Sequence, residues 1–155
     1  MNRFAIAFGS LFGFAKRLPD GGSWLAVLAI GAGLLLYFPI AGDVIAHAGE
    51  PASSMHFIVE GRVNIIVPSD DGRVMRVRSL GRFTTVGEMG MVSGRPRSAT
   101  IEADTDSTLY ALPADQFESI KAEHPELAQA LLVYFMSVMA ERLGFANRTI
   151  SALRR

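Results

Sequence analysis

The chain has 155 residues, half of them hydrophobic, with 15 basic and 15 acidic side chains and no cysteine. That is enough to bury one core; the cancelled charge leaves no electrostatic footprint for nucleic acid, and disulfides and thiolate metal sites are excluded, which fits a reducing compartment. His47, His56 and His124 share no metal-ligand spacing, and the sequence holds neither a Gly-x-Ser-x-Gly elbow nor a paired nucleophile and base.

Met1 to Leu18 is apolar with Arg3, Lys16 and Arg17, like a signal peptide, but Phe14-Ala15-Lys16 is a poor small-residue cleavage site. Asp20-Gly21-Gly22-Ser23 reads as a turn or linker. Trp24 to Ile40 carries no charge and is long enough for a membrane span, although Gly31, Gly33 and Pro39 interrupt it. The alternative is a short helix, Trp24 to Ile30, followed by a buried strand, Leu34 to Phe38. The polar turn at Gly42-Asp43 favours the second reading.

From there the punctuation is regular. Gly42-Asp43, Gly49-Glu50-Pro51, Glu60-Gly61, Ser69-Asp70-Asp71-Gly72 and Gly81 mark turns about ten residues apart. Between them lie His56 to Val59, Val63 to Val67 and Val74 to Leu80, which predict short strands of an antiparallel sandwich or barrel. Asp71-Gly72 signals a hairpin. The alternation in Val74 to Ser79 is too imperfect to assign a core face.

Residues 87–101, Gly87-Glu88-Met89-Gly90-Met91-Val92-Ser93-Gly94-Arg95-Pro96-Arg97-Ser98-Ala99-Thr100-Ile101, carry the chemistry. Gly87 and Gly90 let the backbone approach a ligand. One helical turn from Glu88 to Val92 would aim free N–H groups at an anion. Arg97-Ser98 adds a planar charged fork and a hydroxyl suited to phosphate oxygens. Glu88 would repel that anion, so it needs another task, and accepting from a sugar hydroxyl is the obvious one. Together they describe a ribose phosphate; on its own the stretch also reads as a glycine-rich loop between strands.

Two more strands, Arg97 to Ala103 and Thr108 to Leu112, end at Pro113, and Ala114 to Lys121 reads as a helix. Pro125 opens a long C-terminal helix to Arg155. One row along it runs Leu127, Leu131, Tyr134 or Phe135, Val138, Arg142, Phe145, Thr149; a second, more apolar row runs Leu132, Met136, Met139, Leu143, Ala146, Ile150, Leu153. Two rows exceed what one sandwich face needs, so part of the helix is available as a lid or for dimerisation; simple packing on the domain is the alternative.

Gly-Glu-x-Gly-Met, a short spacer and Pro-Arg-Ser-Ala-Thr-Ile resemble the phosphate-binding cassette of the cyclic nucleotide-binding domain family, which includes the bacterial catabolite activator, kinase regulatory subunits and cyclic nucleotide-gated channels. Gly42 to Ile45, Gly49-Glu50 and Phe57 to Val63 are similar to its first strands and turns. The resemblance covers Leu34 to Lys121 and implies an eight-stranded antiparallel jelly roll, mainly β with flanking helices, whose internal helix is the cassette. The implied organisation is an N-terminal segment or linker (residues 1–23), a β-roll (24–124) and a C-terminal lid or dimerisation helix (125–155). There are two departures: Val86 stands where Phe is common, and Phe83 stands where many members place a second glycine. A bulky residue at positive φ is costly, so the loop Leu80 to Phe83 is expected to turn differently. The ending Arg142 to Ile150 resembles modules appended to bacterial sulfate-permease-type transporters.

Carried over by resemblance, Glu88 accepts from the ribose 2′-hydroxyl and Arg97 pairs with the cyclic phosphate. The N–H groups of Met89 and Gly90, with Gly87 before them, complete the cradle, and Ser98 adds a hydroxyl. Val86 and Ala99 line the wall beside the base, and Thr100 packs inward. The implied function is a regulatory, non-enzymatic module without a cofactor that binds a cyclic nucleotide, cAMP favoured over cGMP, and transmits binding through the C-terminal helix. The implied location is the cytoplasm, or the cytoplasmic side of a membrane protein such as a transporter, with a possible homodimer through the last helix. Ser98, where members favouring cGMP often carry Thr, leans slightly to cAMP. No nucleic-acid partner is expected, since the chain as given has no helix-turn-helix after the long helix. Two alternatives come from other classes. A degenerate roll used for oligomerisation needs a broken cassette, whereas Glu88 and Arg97 are both present. A cupin-like enzyme needs clustered histidines, which the spacing does not supply.

Overall fold

A computed structural model describes residues 35–69 and 72–153. The signal-like segment, the Asp20–Ser23 turn, the Trp24 to Ile30 helix and the greater part of the considered membrane span lie outside the described residues. The span's last part is a strand, β1 (Leu35–Tyr37), hydrogen-bonded to β8 (Thr108–Pro113). Its end is less buried than the sequence suggests, since Tyr37 and Phe38 are exposed.

Between these two lie β2 (Val44–Ala46), β3 (Ser54–Glu60), β4 (Arg62–Pro68), β5 (Val74–Gly81), β6 (Thr84–Val86), α1 (Glu88–Ser93) and β7 (Thr100–Ala103); α2 (Ala114–Glu123) and α3 (Pro125–Leu153) follow. The strands form two four-stranded antiparallel sheets, in the orders β1-β8-β3-β6 and β2-β7-β4-β5. This is the expected jelly roll, with α1 the only helix inside it among the described residues.

Strand β3 explains the layering. Met55 to Val59 are all buried, so successive side chains fill two different cores. Ile58 faces the space between the sheets with Ala46, Val63, Leu80, Val86, Ile101 and Leu109. Met55, Phe57 and Val59 face outward and are covered by Phe117 and Ile120 of α2 and by Leu127, Leu131 and Phe135 of α3. The first part of the first predicted row of α3, Leu127 to Val138, therefore packs on the roll. The second row stays largely open, with Met136 and Leu143 58% and 63% exposed.

Three local expectations change. Strand β7 begins at Thr100 rather than Arg97, because the Arg97 backbone is held by the β2–β3 turn: its N–H donates to Glu50 O, and its carbonyl accepts from Gly49, both at 2.8 Å. Thr100 does not pack inward. Ile101 and Ala103 take that face, and the Thr100 hydroxyl accepts from the Ala48 N–H at 3.1 Å. Phe83 does adopt positive φ, at 63°, so the loop keeps the turn that glycine would favour. Its strain is held by an N–H donated to Ile58 O at 2.6 Å and by the Arg82 guanidinium 4.4 Å from the ring centroid. The imperfect alternation of β5 also has a cause. Ile65 pairs with Arg78 and Ile66 with Arg76, leaving Val77 as a bulge residue.

Candidate functional site

All eight residues singled out in the sequence, Val86, Gly87, Glu88, Met89, Gly90, Arg97, Ser98 and Ala99, line one cavity of about 390 Å³ between the cassette, β5 and α3. That volume suits a small organic ligand. The charged side chains on its walls are three arginines, Arg78, Arg97 and Arg142, and one carboxylate, Glu88. The excess of positive charge selects an anion.

Gly87 begins the site. It holds φ 87° immediately before α1, and a Cβ there would lie 2.3 Å from Arg97 Nη1. Glycine is thus required twice, by the left-handed backbone and by the guanidinium lying over it. Gly90 answers a packing need instead: a Cβ on it would meet the Ala52 Cβ at 2.4 Å and Arg95 O at 3.0 Å. The turn of α1 leaves its first N–H groups without helical partners, on the side where Arg97 sits.

Arg97 is buried, with Nη2 donating to Ser54 O at 2.7 Å and to Ser54 Oγ at 3.3 Å. Nη1 is buried with no hydrogen-bond acceptor. Burial pulls the guanidinium below its ordinary pKa and Glu50 acts the other way; an arginine stays charged regardless. A buried cationic donor facing free backbone N–H groups is a site short of an anion. Ser98, beside it, is exposed at the cavity mouth.

Glu88 is fully buried. Its Oε1 accepts from Arg142 Nη1, while Arg142 Nη2 donates to Thr85 O. Its Oε2 has no partner. The carboxylate therefore has one oxygen held by α3 and one ready to accept from a ligand hydroxyl. Beneath the site, His56 is buried with Nδ1 unpartnered, and Thr85 Oγ1 is likewise unpartnered. Burial first, then the charge of Arg97, lower the His56 pKa from 6.5 to about 4, so the imidazole is neutral at ordinary pH.

Sequence reasoning missed Arg142, Phe145, Ala146, Thr149 and Ile150 of α3 and Arg78 of β5, all of which line the cavity. Arg142 left a signal. It is a lone cation in a row otherwise occupied by Leu131, Phe135, Val138 and Phe145, and a charge on a packed helix face needs an opposite partner.

A two-sheet antiparallel roll that interrupts its strands with a glycine-flanked helical turn, set under a buried arginine with an unpartnered nitrogen, is built to receive an anion. A profile of the cyclic nucleotide-binding domain family matches residues 40–124, more than half of the chain, and the chain belongs to that family. A cyclic nucleotide-gated potassium channel of Rhizobium etli is 40% identical over 91 residues, 59% of this chain and 24% of the channel. One of Mesorhizobium japonicum is 37% identical over 106 residues, 68% of this chain and 27% of the channel. The crystal structure of a cyclic nucleotide-binding domain from Methylobacillus flagellatus shares the fold, with a TM-score of 0.84 at 21% identity, covering 92% of this chain and 82% of that one. The chain spans about a quarter of the length of the two channels.

Proposed function

We propose that this domain is a regulatory switch that takes a purine cyclic nucleotide into the cavity and reports it through α3. The observation that carries the reading is Arg97: a buried guanidinium with one unpartnered nitrogen lying over Gly87 and the open start of α1. A cyclic phosphate supplies the missing acceptor and the missing negative charge. Glu88 Oε2 then accepts from the ribose 2′-hydroxyl, Val86 and Ala99 flank the base, and Phe145, Ala146 and Ile150 close over it. Ser98 taken alone leans slightly to cAMP; the far end of the cavity carries further information on the base.

Transmission follows from Arg142. The helix is tied to the cassette through the residue that would hold the ribose, so a ligand that engages Glu88 acts directly on the anchor of α3. A ligand moves such an element only by binding its two positions unequally, and the Glu88–Arg142 pair gives it a means to do so. The effector is proposed to be a membrane protein reached from its cytoplasmic side, as the two channel relatives suggest, with this domain making up a minor part of the whole assembly.

Isothermal titration with cAMP and cGMP tests the reading. One-to-one saturable binding is expected. Failure of both ligands to bind would leave the degenerate, nucleotide-free oligomerisation module as the better account.

A further inference from the structure

Besides Arg97 and Arg142 the cavity has a third guanidinium, set into the other sheet. Arg97 is anchored on Ser54 of β3, whereas Arg78 belongs to β5, the edge strand of the second sheet. Arg78 is half-buried, and its Cζ lies 4.8 Å from the ring centroid of Phe145 on α3. Both residues line the cavity. No carboxylate pairs with Arg78 among the described residues, so a cation–π contact holds it while its in-plane N–H edge stays open. Around it the lining is apolar, Ile65, Val77, Leu80 and Ile150, apart from the Thr149 hydroxyl, which already donates to Phe145 O at 3.2 Å.

With phosphate on Arg97 and ribose on Glu88, the base lies against β5 and α3. What it meets there is donors. A guanidinium has five N–H groups and no acceptor. The edge of a 6-oxopurine offers O6 and N7, two acceptors side by side, which a guanidinium pairs with bidentately. Adenine offers N7 beside an amino group, so one arm of the fork would face a donor instead of an acceptor and the bidentate pairing would be lost. We infer that Arg78 reads the base edge, and that this domain selects a cyclic nucleotide carrying a 6-oxopurine over one carrying adenine. This rests on the proposed nucleotide site, and it outweighs the slight lean that Ser98 gives.

The test is calorimetric titration of the full chain with cGMP, cyclic inosine monophosphate and cAMP. Inosine keeps O6 and N7 but lacks the 2-amino group, so it isolates the edge that Arg78 would read. Both 6-oxo ligands should bind about tenfold to a hundredfold more tightly than cAMP. Arg78→Ala should bring all three within about threefold of one another, mainly by weakening the 6-oxo ligands, and Arg78→Lys should do nearly the same, since it keeps the charge and loses the fork. Wild type binding cAMP as tightly as the inosine ligand would overturn the inference. So would an Arg78→Ala variant that weakens all three equally. Absence of binding by any of them would overturn the nucleotide site itself, and with it this inference.

Discussion

Arg142 and Glu88 sit 54 residues apart in the chain and form a buried ion pair that ties the last helix to the first turn of the cassette. The guanidinium also reaches Thr85 O, so one side chain of α3 holds both the strand that enters the cassette and the carboxylate that opens it. Breaking a buried pair by removing one partner is costly because the other charge is stranded. Arg142→Ala should lower the stability of the ligand-free protein by about 2 kcal/mol, less than a fully dry pair because the arginine side chain is 21% exposed. Adding Glu88→Gln to that variant should restore much of the loss. Denaturant unfolding of the two single variants and the double variant completes the cycle; additive losses would show that the two residues do not act on each other.

Glu88→Gln alone tests the ribose contact. A charged acceptor is worth about 1.5–3 kcal/mol against about 0.5–1.5 kcal/mol for a neutral one, so affinity for a cyclic nucleotide should fall about tenfold. A 2′-deoxy ligand should bind wild type and variant almost equally. A variant that still distinguishes the 2′-hydroxyl as strongly as wild type removes Glu88 from the ribose.

Hydrogen exchange tests transmission. The second row of α3 is open and its far half touches the roll mainly through the cavity, so ligand should slow exchange in residues 136–150 together with residues 87–98. Unchanged exchange in α3 at saturation would mean that capture stays local.

How much of this was legible in the sequence depends on what each residue answers to. Turn glycines and the run His56 to Val59 announced the roll, because backbone conformation and double-sided burial leave a local trace. The cassette was legible for the same reason, its residues lying within 15 positions of one another. Arg142 and Arg78 were not read as site residues, since their roles arise only when α3 folds back across β5. Phe83 misled: its positive φ is fixed by pairing on both sides of the loop, a tertiary constraint that overrides a steric preference. Gly90 was read as room for a ligand and is spent at least as much on packing against Ala52.

His56 gives a pH prediction. Its pKa falls from 6.5 unfolded to about 4 folded, so between those values the unfolded chain binds the extra proton. Stability is therefore full above about pH 6.5 and is lost as pH falls towards about 4. From pH 7 to pH 5 the loss from this residue is on the order of 2 kcal/mol. His56→Phe should remove that part of the slope. Unfolding curves at the two pH values decide it, and an unchanged slope in the variant would assign the loss to other groups.

In the proposed site the unpartnered nitrogen of Arg97 receives the phosphate of a cyclic nucleotide. The measurement that bears on it most directly is calorimetric titration of wild type and Arg97→Ala with cGMP and cAMP, with thermal melting of both proteins in the absence of ligand. Wild type should bind one equivalent. Arg97→Ala should lose affinity for both ligands by about a hundredfold or more, the cost of a buried phosphate left without its cation. Its melting temperature without ligand should barely move, because loss of the Ser54 contacts is offset by removal of an incompletely paired buried charge. An Arg97→Ala variant that melts like wild type and still binds with wild-type affinity would show that the phosphate is held elsewhere.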